Sequence, residues 1–366
     1  MSFREHYLLC PADRYAVEYV INPWMDGNVG RADNAEARRQ WRRFHDELAK
    51  RADVSTCEPG EGLPDKVFSA NAGIVMDGVF APSRFRYPQR QGEVAEYSAW
   101  MAAAGIRVAA APEAGHEGEG DVLLHPGTRR MWAGYGVRTT LESHRELAVF
   151  FGVEVVSLRL IDERFYHLDT CFCPLPGGRA FYFPAAFDRP SLEAIRSRVA
   201  PEYRIEIGEE DALGFACNAV PAGGSILLNH AGDGLRAKLA AWGYETVICP
   251  VGQFMLAGGA TKCLCLRLRH DAPAGPAPGS SEAAGAAVSG VTDTAMVLRG
   301  HLLDHGMLTT AMDVIVDAGG GFNVERFEAG QRRDQDSVAT VRVFAPTPDR
   351  LGPMVHRLEA LGATPA

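Results

Sequence analysis

The chain has 366 residues, 46% of them hydrophobic and 23% charged, and that length suggests about two domains. This balance excludes a disordered chain, a collagen-like repeat and a small disulfide scaffold, and no stretch approaches the roughly 18 apolar residues of a membrane helix. A net charge of −9 is a poor basis for gripping nucleic acid or anionic lipid. The N-terminus lacks the apolar core of a signal peptide, and the eight cysteines read as reduced thiols, so a soluble, cytoplasmic protein is expected.

In chain order, the first helix is expected near Asn34–Arg51, with Trp41, Phe44 and Leu48 on one face. Arg38, Arg39, Arg42 and Arg43 form the other face, a solvated surface rather than a binding patch. Strand-like runs then begin near Val67, Asp121, Leu168, Leu213 and Cys263, roughly 50 residues apart. Helical stretches fall between them at Gln91–Ala104, Thr139–Phe151, Ser191–Val199 and Gly232–Trp242, several opening on a capping residue. Strands alternating with helices over five units predict an α/β architecture with radial or barrel-like repetition.

Residues 271–292 are rich in Ala, Gly, Pro and Ser and read as a flexible linker between units 1–270 and 293–366. The tail reads strand MVLRGHLL, helix Met307–Ala318, strands FNVERFEAG and SVATVRVFA, and helix Pro348–Leu361. That βαββα order is a ferredoxin-like unit lacking its last strand.

Three weak signals together suggest chemistry. Cys263 follows a Gly-Gly-Ala-Thr turn, where backbone amides can support a thiolate. His167 and Asp169, two apart and expected on a strand, would face one site and suit general acid–base work. Glu117, Glu119 and Asp121 place three carboxylates beside glycines, a composition suited to a bound cation, metallic or organic. Each sits at the head of a different repeat unit, so repeat equivalence would bring them together. A thiol, a His–Asp pair and clustered carboxylates suit attack on the carbon of a guanidinium. The pairs Cys171/Cys173 and Cys263/Cys265 are read as buried hydrophobes rather than zinc ligands. His125, His144 and His230 are read as structural, and Asn71 by itself as a turn residue.

The motifs EYVINPWMD (18–26), VFSANAGIV (67–75), EGEGD (117–121), FYHLDTCFCPL (165–175), ALGFACNAV (212–220) and LAGGATKCL (256–264) resemble those of the arginine dihydrolases. These are members of the guanidino-group-modifying superfamily, with the five-fold pseudosymmetric α/β propeller called the pentein fold, related to arginine deiminases and dimethylarginine dimethylaminohydrolases. The resemblance covers about residues 5–270. The tail resembles the start of the domain that leads, in that family, to an ornithine cyclodeaminase-like region absent from this sequence.

The resemblance implies hydrolysis of L-arginine to ornithine, ammonia and carbon dioxide, with no metal and no cofactor. It casts Cys263 as nucleophile, His167 as general acid–base and Asp169 as a grip on the guanidinium. Glu117 matches a second carboxylate of the deiminases' Glu-Gly-Gly-Asp, and one extra residue leaves Glu119 as the alternative. Arg90 and Arg138 become candidates for the substrate carboxylate, Asn22 and Asn71 pocket asparagines, and Ala257 a backbone contact. Deiminases carry aspartate where this chain has Asn71. An amide offers donor and acceptor, so it can hold a cationic guanidinium or a neutral ureido group, which favours a second hydrolytic round. The competing readings are a deiminase that stops at citrulline, an amidinotransferase and an inactive arginine sensor; a homo-oligomer is left open.

Overall fold

The strand nearest the N-terminus, His6–Leu9, lies between two partners far apart in the sequence. It runs antiparallel to Cys265–Arg269 and parallel to Asp53–Thr56. This sheet closes a ring of five. The other four are built alike: an antiparallel hairpin, a helix, then a strand parallel to the second strand of the hairpin. Their hairpins are Gly73–Met76 with Val79–Pro82, Val122–Leu124 with Arg130–Tyr135, Phe172–Leu175 with Arg179–Tyr182, and Val220–Ala222 with Ser225–Leu228. The chain forms the expected five-fold α/β propeller. The structure is a computed structural model that describes residues 4–273, 275, 292–300, 302, 307–330, 335–345 and 347–366, so most of the expected linker lies outside the described residues.

The helices follow local chemistry. Asn34–Ala49 is capped by the Asp33 side chain, which accepts the Glu36 N–H, and buries Ala37, Trp41, Phe44 and Leu48. Arg39, Arg42 and Arg43 of its opposite face are exposed, as expected. Leu141–Phe151 ends at Gly152, whose φ of +60° is the left-handed cap that glycine takes most readily. The stretch expected as one helix over 91–104 is Pro88–Gln91 followed by Glu93–Ala103, parted at Gly92.

Before the first strand of each unit the chain makes a tight turn, and here the sequence reading needs correcting. Val67 and Leu168 do not begin strands: Ser69–Ala72, Gly118–Gly120 and Leu168–Thr170 are single 3-10 turns, and the strands start after them. His167 and Asp169 therefore share no strand face. The apolar runs that suggested strands are long enough to include the turns, because both are buried.

Residues 292–366 carry a four-stranded antiparallel sheet packed by helices Met307–Asp317 and Pro348–Ala360. The two-residue strand Thr364–Pro365 pairs with Met296 and Val297, a short form of the last strand that the sequence reading lacked. The unit rests on the propeller through Tyr135, Leu141 and Phe344, through Tyr135 Oη donating to the Gly319 carbonyl at 3.1 Å, and through an Arg145–Asp293 ion pair. Among the described residues no helix is long and apolar enough to cross a membrane, and no group of three or more His, Cys, Asp or Glu is arranged to hold a metal.

Candidate active site

The strand-head turns converge at one end of the propeller, and their side chains meet there. Cys263 is 2% exposed. Its Sγ lies 3.3 Å from Asp169 Oδ2 and receives a hydrogen bond from Asn218 Nδ2 at 3.1 Å. Burial first, then the adjacent Asp169 charge, push the thiol well above its ordinary range. Burial likewise raises Asp169 to about 7, against the opposing pull of Lys262 and of hydrogen bonds from Cys263 and Asn218, and its Oδ1 has no partner. An unpaired buried carboxylate beside a thiol is a destabilised arrangement that an incoming cation would relieve.

His167 Nε2 is 2.7 Å from Glu117 Oε2, which also accepts from Arg138 Nη1 at 3.0 Å. Glu117 Oε1 accepts the Arg86 backbone N–H at 3.2 Å. Burial opposes ionisation of Glu117, but Arg138 and His167 outweigh it and hold the carboxyl far below the usual range. A permanent carboxylate thus fixes the orientation of the imidazole. Arg138 is clamped between the rings of Tyr87 and Tyr166, 4.6 and 4.8 Å from their centroids, and donates to the Ile21 carbonyl at 2.7 Å.

A narrow pocket leads to Cys263, walled by Ile21, Asn22, Asp65, Asn71, Arg90, Arg138, Tyr166 and Ala257 among others. A wider vestibule sharing Ile21, Asn22, Arg138 and Tyr166 opens outside it.

Comparison with known proteins accords with this geometry. The chain is 43% identical over 364 residues to the bifunctional arginine dihydrolase/ornithine cyclodeaminase AgrE of Nostoc sp., covering 99% of this chain and 50% of that protein. It spans about half the length of the curated relatives it matches first. It is 38% identical over 263 residues to the N(G),N(G)-dimethylarginine dimethylaminohydrolase of Mycobacterium tuberculosis, covering 72% of this chain and 85% of that enzyme. The crystal structure of the N-terminal domain of the cyanobacterial arginine dihydrolase ArgZ, bound to product, superposes with a TM-score of 0.73 at 45% identity, over 74% of this chain and all of that one. The chain belongs to the dimethylarginine dimethylaminohydrolase and arginine dihydrolase family. Residues 293–366 separately match the family described as the LOR/SDH bifunctional enzyme conserved region.

Not every residue singled out in this dihydrolase-family chain reaches the pocket in the expected way. Glu119 does not line it. Its carboxylate turns to the other side of the turn, where Lys262 Nζ lies at 2.9 Å, the Arg267 N–H at 3.0 Å and His270 at 3.5 Å. Burial opposes it, but Lys262 and His270 bring Glu119 down to about 2. Of the two alternatives, Glu117 is the one that bonds His167 and Arg138, Gly118 at φ +56° reversing the backbone between the two carboxylates. Arg90 is at the wall but not free for a carboxylate: Nε and Nη2 pair with Glu93, and Nη1 donates to Asn71 Oδ1 at 2.8 Å. Asn22 and Ala257 bond each other, Nδ2 to carbonyl, at 3.0 Å.

Three residues of the site had no separate signal in the sequence. Asp65 is buried at the pocket wall, with Oδ2 accepting from Tyr19 at 2.9 Å and Oδ1 unpartnered; burial pushes its pKa up. In sequence it follows Pro64 and looks like a turn residue. Tyr166, beside His167, donates to the Gly258 carbonyl at 2.9 Å and steadies the loop that leads to Cys263. Asn218 lies inside the ALGFACNAV motif (212–220), yet an asparagine among Phe, Ala and Cys says nothing by itself.

Proposed function

We propose that the chain hydrolyses L-arginine to L-ornithine, two ammonia and carbon dioxide, with Cys263 as covalent nucleophile. The observation that carries this reading is that Cys263 lies on the pocket wall with the Asp169 carboxylate 3.3 Å from its sulfur, while the His167–Glu117 pair bonds the wall residues Asn71 and Arg138. AgrE, whose cysteine-to-alanine variant has been crystallised with L-arginine, lends it further support.

The substrate guanidinium meets Asp169 and supplies the positive charge that favours the thiolate, the thiol proton passing to His167. The thiolate attacks the guanidino carbon, and the C–N bond to one terminal nitrogen breaks as His167 gives that nitrogen a proton, releasing ammonia. Water then loses a proton to His167 and attacks the amidino-thioether. The C–S bond breaks, and citrulline leaves with the thiolate restored. In a second round the thiolate attacks the ureido carbon, a second ammonia leaves, and hydrolysis of the thiocarbamate yields a carbamate that breaks down to ornithine and carbon dioxide. Asp65, whose Oδ1 is unpartnered, suits the substrate's α-ammonium; Arg138 already serves Glu117 and the Ile21 carbonyl but lines both pocket and vestibule, which makes it the arginine suited to the α-carboxylate.

Asn71 sets the number of rounds. Arg90 pins its Oδ1, so the amide turns its NH2 toward His167 Nδ1, 3.4 Å away. An N–H donor at that place favours the ureido oxygen of citrulline, which the aspartate of a deiminase would repel.

Residues 1–270 are taken as the catalytic unit, 271–292 as a linker and 293–366 as a second unit. A cytoplasmic setting suits the eight unbridged, buried cysteines. The deciding experiment is product analysis after incubation with L-arginine. Ornithine with two ammonia per arginine supports the dihydrolase. Citrulline with one ammonia makes it a deiminase, and no product returns attention to the sensor and, with added amines, the transferase.

A further inference from the structure

Asn218 is fully buried on the strand-head turn of the fourth unit, and its whole side chain is spent on the nucleophile and its neighbour. Oδ1 accepts the backbone N–H of Ala260 at 3.1 Å, of Lys262 at 2.9 Å and of Cys263 at 3.1 Å. Three donors on one side allow a single orientation of the amide, oxygen toward the loop and NH2 away from it. That NH2 donates to the Asp169 carbonyl at 3.2 Å and to Cys263 Sγ at 3.1 Å. The backbone carbonyl of Asn218 accepts from the Thr261 hydroxyl and the Lys262 N–H. The turn that delivers it is strained: Phe215, whose carbonyl accepts the Asn218 N–H, stands at φ +59°, a region bulky residues avoid.

Two groups thus touch the sulfur with opposite preference. Asp169 Oδ2 accepts from it and favours S–H, whereas an N–H donor favours the thiolate. We propose that Asn218 is a positioning residue that holds the nucleophile loop through Oδ1 and stabilises the Cys263 thiolate through Nδ2. The inference rests on Cys263 being the nucleophile. The other titratable groups facing the sulfur are Asp169 and Tyr166, while the neighbouring Lys262 turns to Glu119. The variants below leave all of these in place.

The test is the rate of Cys263 alkylation by iodoacetamide against pH, read on the Cys263 peptide by mass spectrometry with Cys263→Ser as the blank. It needs no substrate, so it remains decisive if arginine proves not to be one. Asn218→Ala removes the donor without adding charge. Asn218→Asp keeps the Oδ1 acceptor for the three amides but sets an oxygen against the Asp169 carbonyl and the sulfur, so it is expected to melt lower than the native protein and is read beside its melting curve. Both should move the midpoint upward by at least about one pH unit, which is about tenfold slower alkylation below the midpoint. If Asn218→Ala does not fold, Asn218→Ser serves as the neutral variant. An unshifted midpoint in the neutral variant, with only a lower melting temperature, would mean that the amide merely holds the loop and would overturn the proposal.

Discussion

Glu117 and Glu119 are two residues apart, equally buried and both ion-paired, yet their environments give them different work. Glu117 shares its oxygens between His167, Arg138 and the Arg86 amide, while Glu119 answers Lys262 on the far side of the turn. Glu117→Gln removes the charge that orients the imidazole, and kcat is expected to fall by roughly 100-fold or more. Glu119→Gln leaves the partly buried Lys262 with only the Cys265 carbonyl and should cost about 1–3 kcal/mol of stability, with kcat changed only a few-fold in the protein that stays folded. Melting curves and steady-state kinetics on the two variants separate these outcomes, and equal kinetic losses would refute the division of labour. Asp169 gives a pH signature. Its pKa of about 7 in the free protein means that a cation bound beside it must displace a proton at lower pH. Binding of arginine to the Cys263→Ser variant at pH 6 is therefore expected to release roughly one proton, falling toward zero above pH 8. Calorimetry in buffers of different ionisation enthalpy measures this, and no release at pH 6 would show that Asp169 does not meet the guanidinium.

At the scale of elements, the strand-head turns position the site, and their glycines are fitted to one another. A Cβ on Gly120 would collide with Asn71 Nδ2 and come within 3.1 Å of His167 Nδ1. The glycine makes room for two site side chains rather than for a ligand. Gly120→Ala should therefore displace both, lowering kcat/KM by at least tenfold at a stability cost of about 1–3 kcal/mol, the usual range for overpacking. Unchanged kinetics in a folded Gly120→Ala protein would argue that Asn71 and His167 need no such fit. A single 3-10 turn with a glycine on either side is a short device, and its spacing is set by packing across units rather than by local propensity.

For the whole molecule, the ring closes by placing His6–Leu9 between strands more than 40 and more than 250 residues away in sequence, so the five units stand or fall together. The second unit meets this ring mainly through Tyr135, Leu141 and Phe344 and a few ion pairs. A chain ending at residue 270 is expected to fold and keep its turnover, because among the described residues every one assigned to the site lies before His270. Circular dichroism and the product assay check this, and loss of the ring's cooperative melting would show that the second unit is needed to fold it. The cost should be limited to exposing Tyr135 and Leu141, about 1.5–3 kcal/mol for each large side chain uncovered.

The sequence by itself was enough for the five-unit repeat, the helices between the strands and the ferredoxin-like order of the tail, and it singled out Cys263, His167 and Asp169 as candidates. These are carried by periodicity, capping residues and long motifs, all of which are local. It misplaced the strand starts, since a buried 3-10 turn and a buried strand are equally apolar. It left Glu117 and Glu119 undivided, and it passed over Asp65 and Asn218. Which face of a turn points to the pocket, and which buried oxygen is left without a partner, depend on side chains more than 40 residues apart being brought within 3 Å. Only the closed ring brings them together.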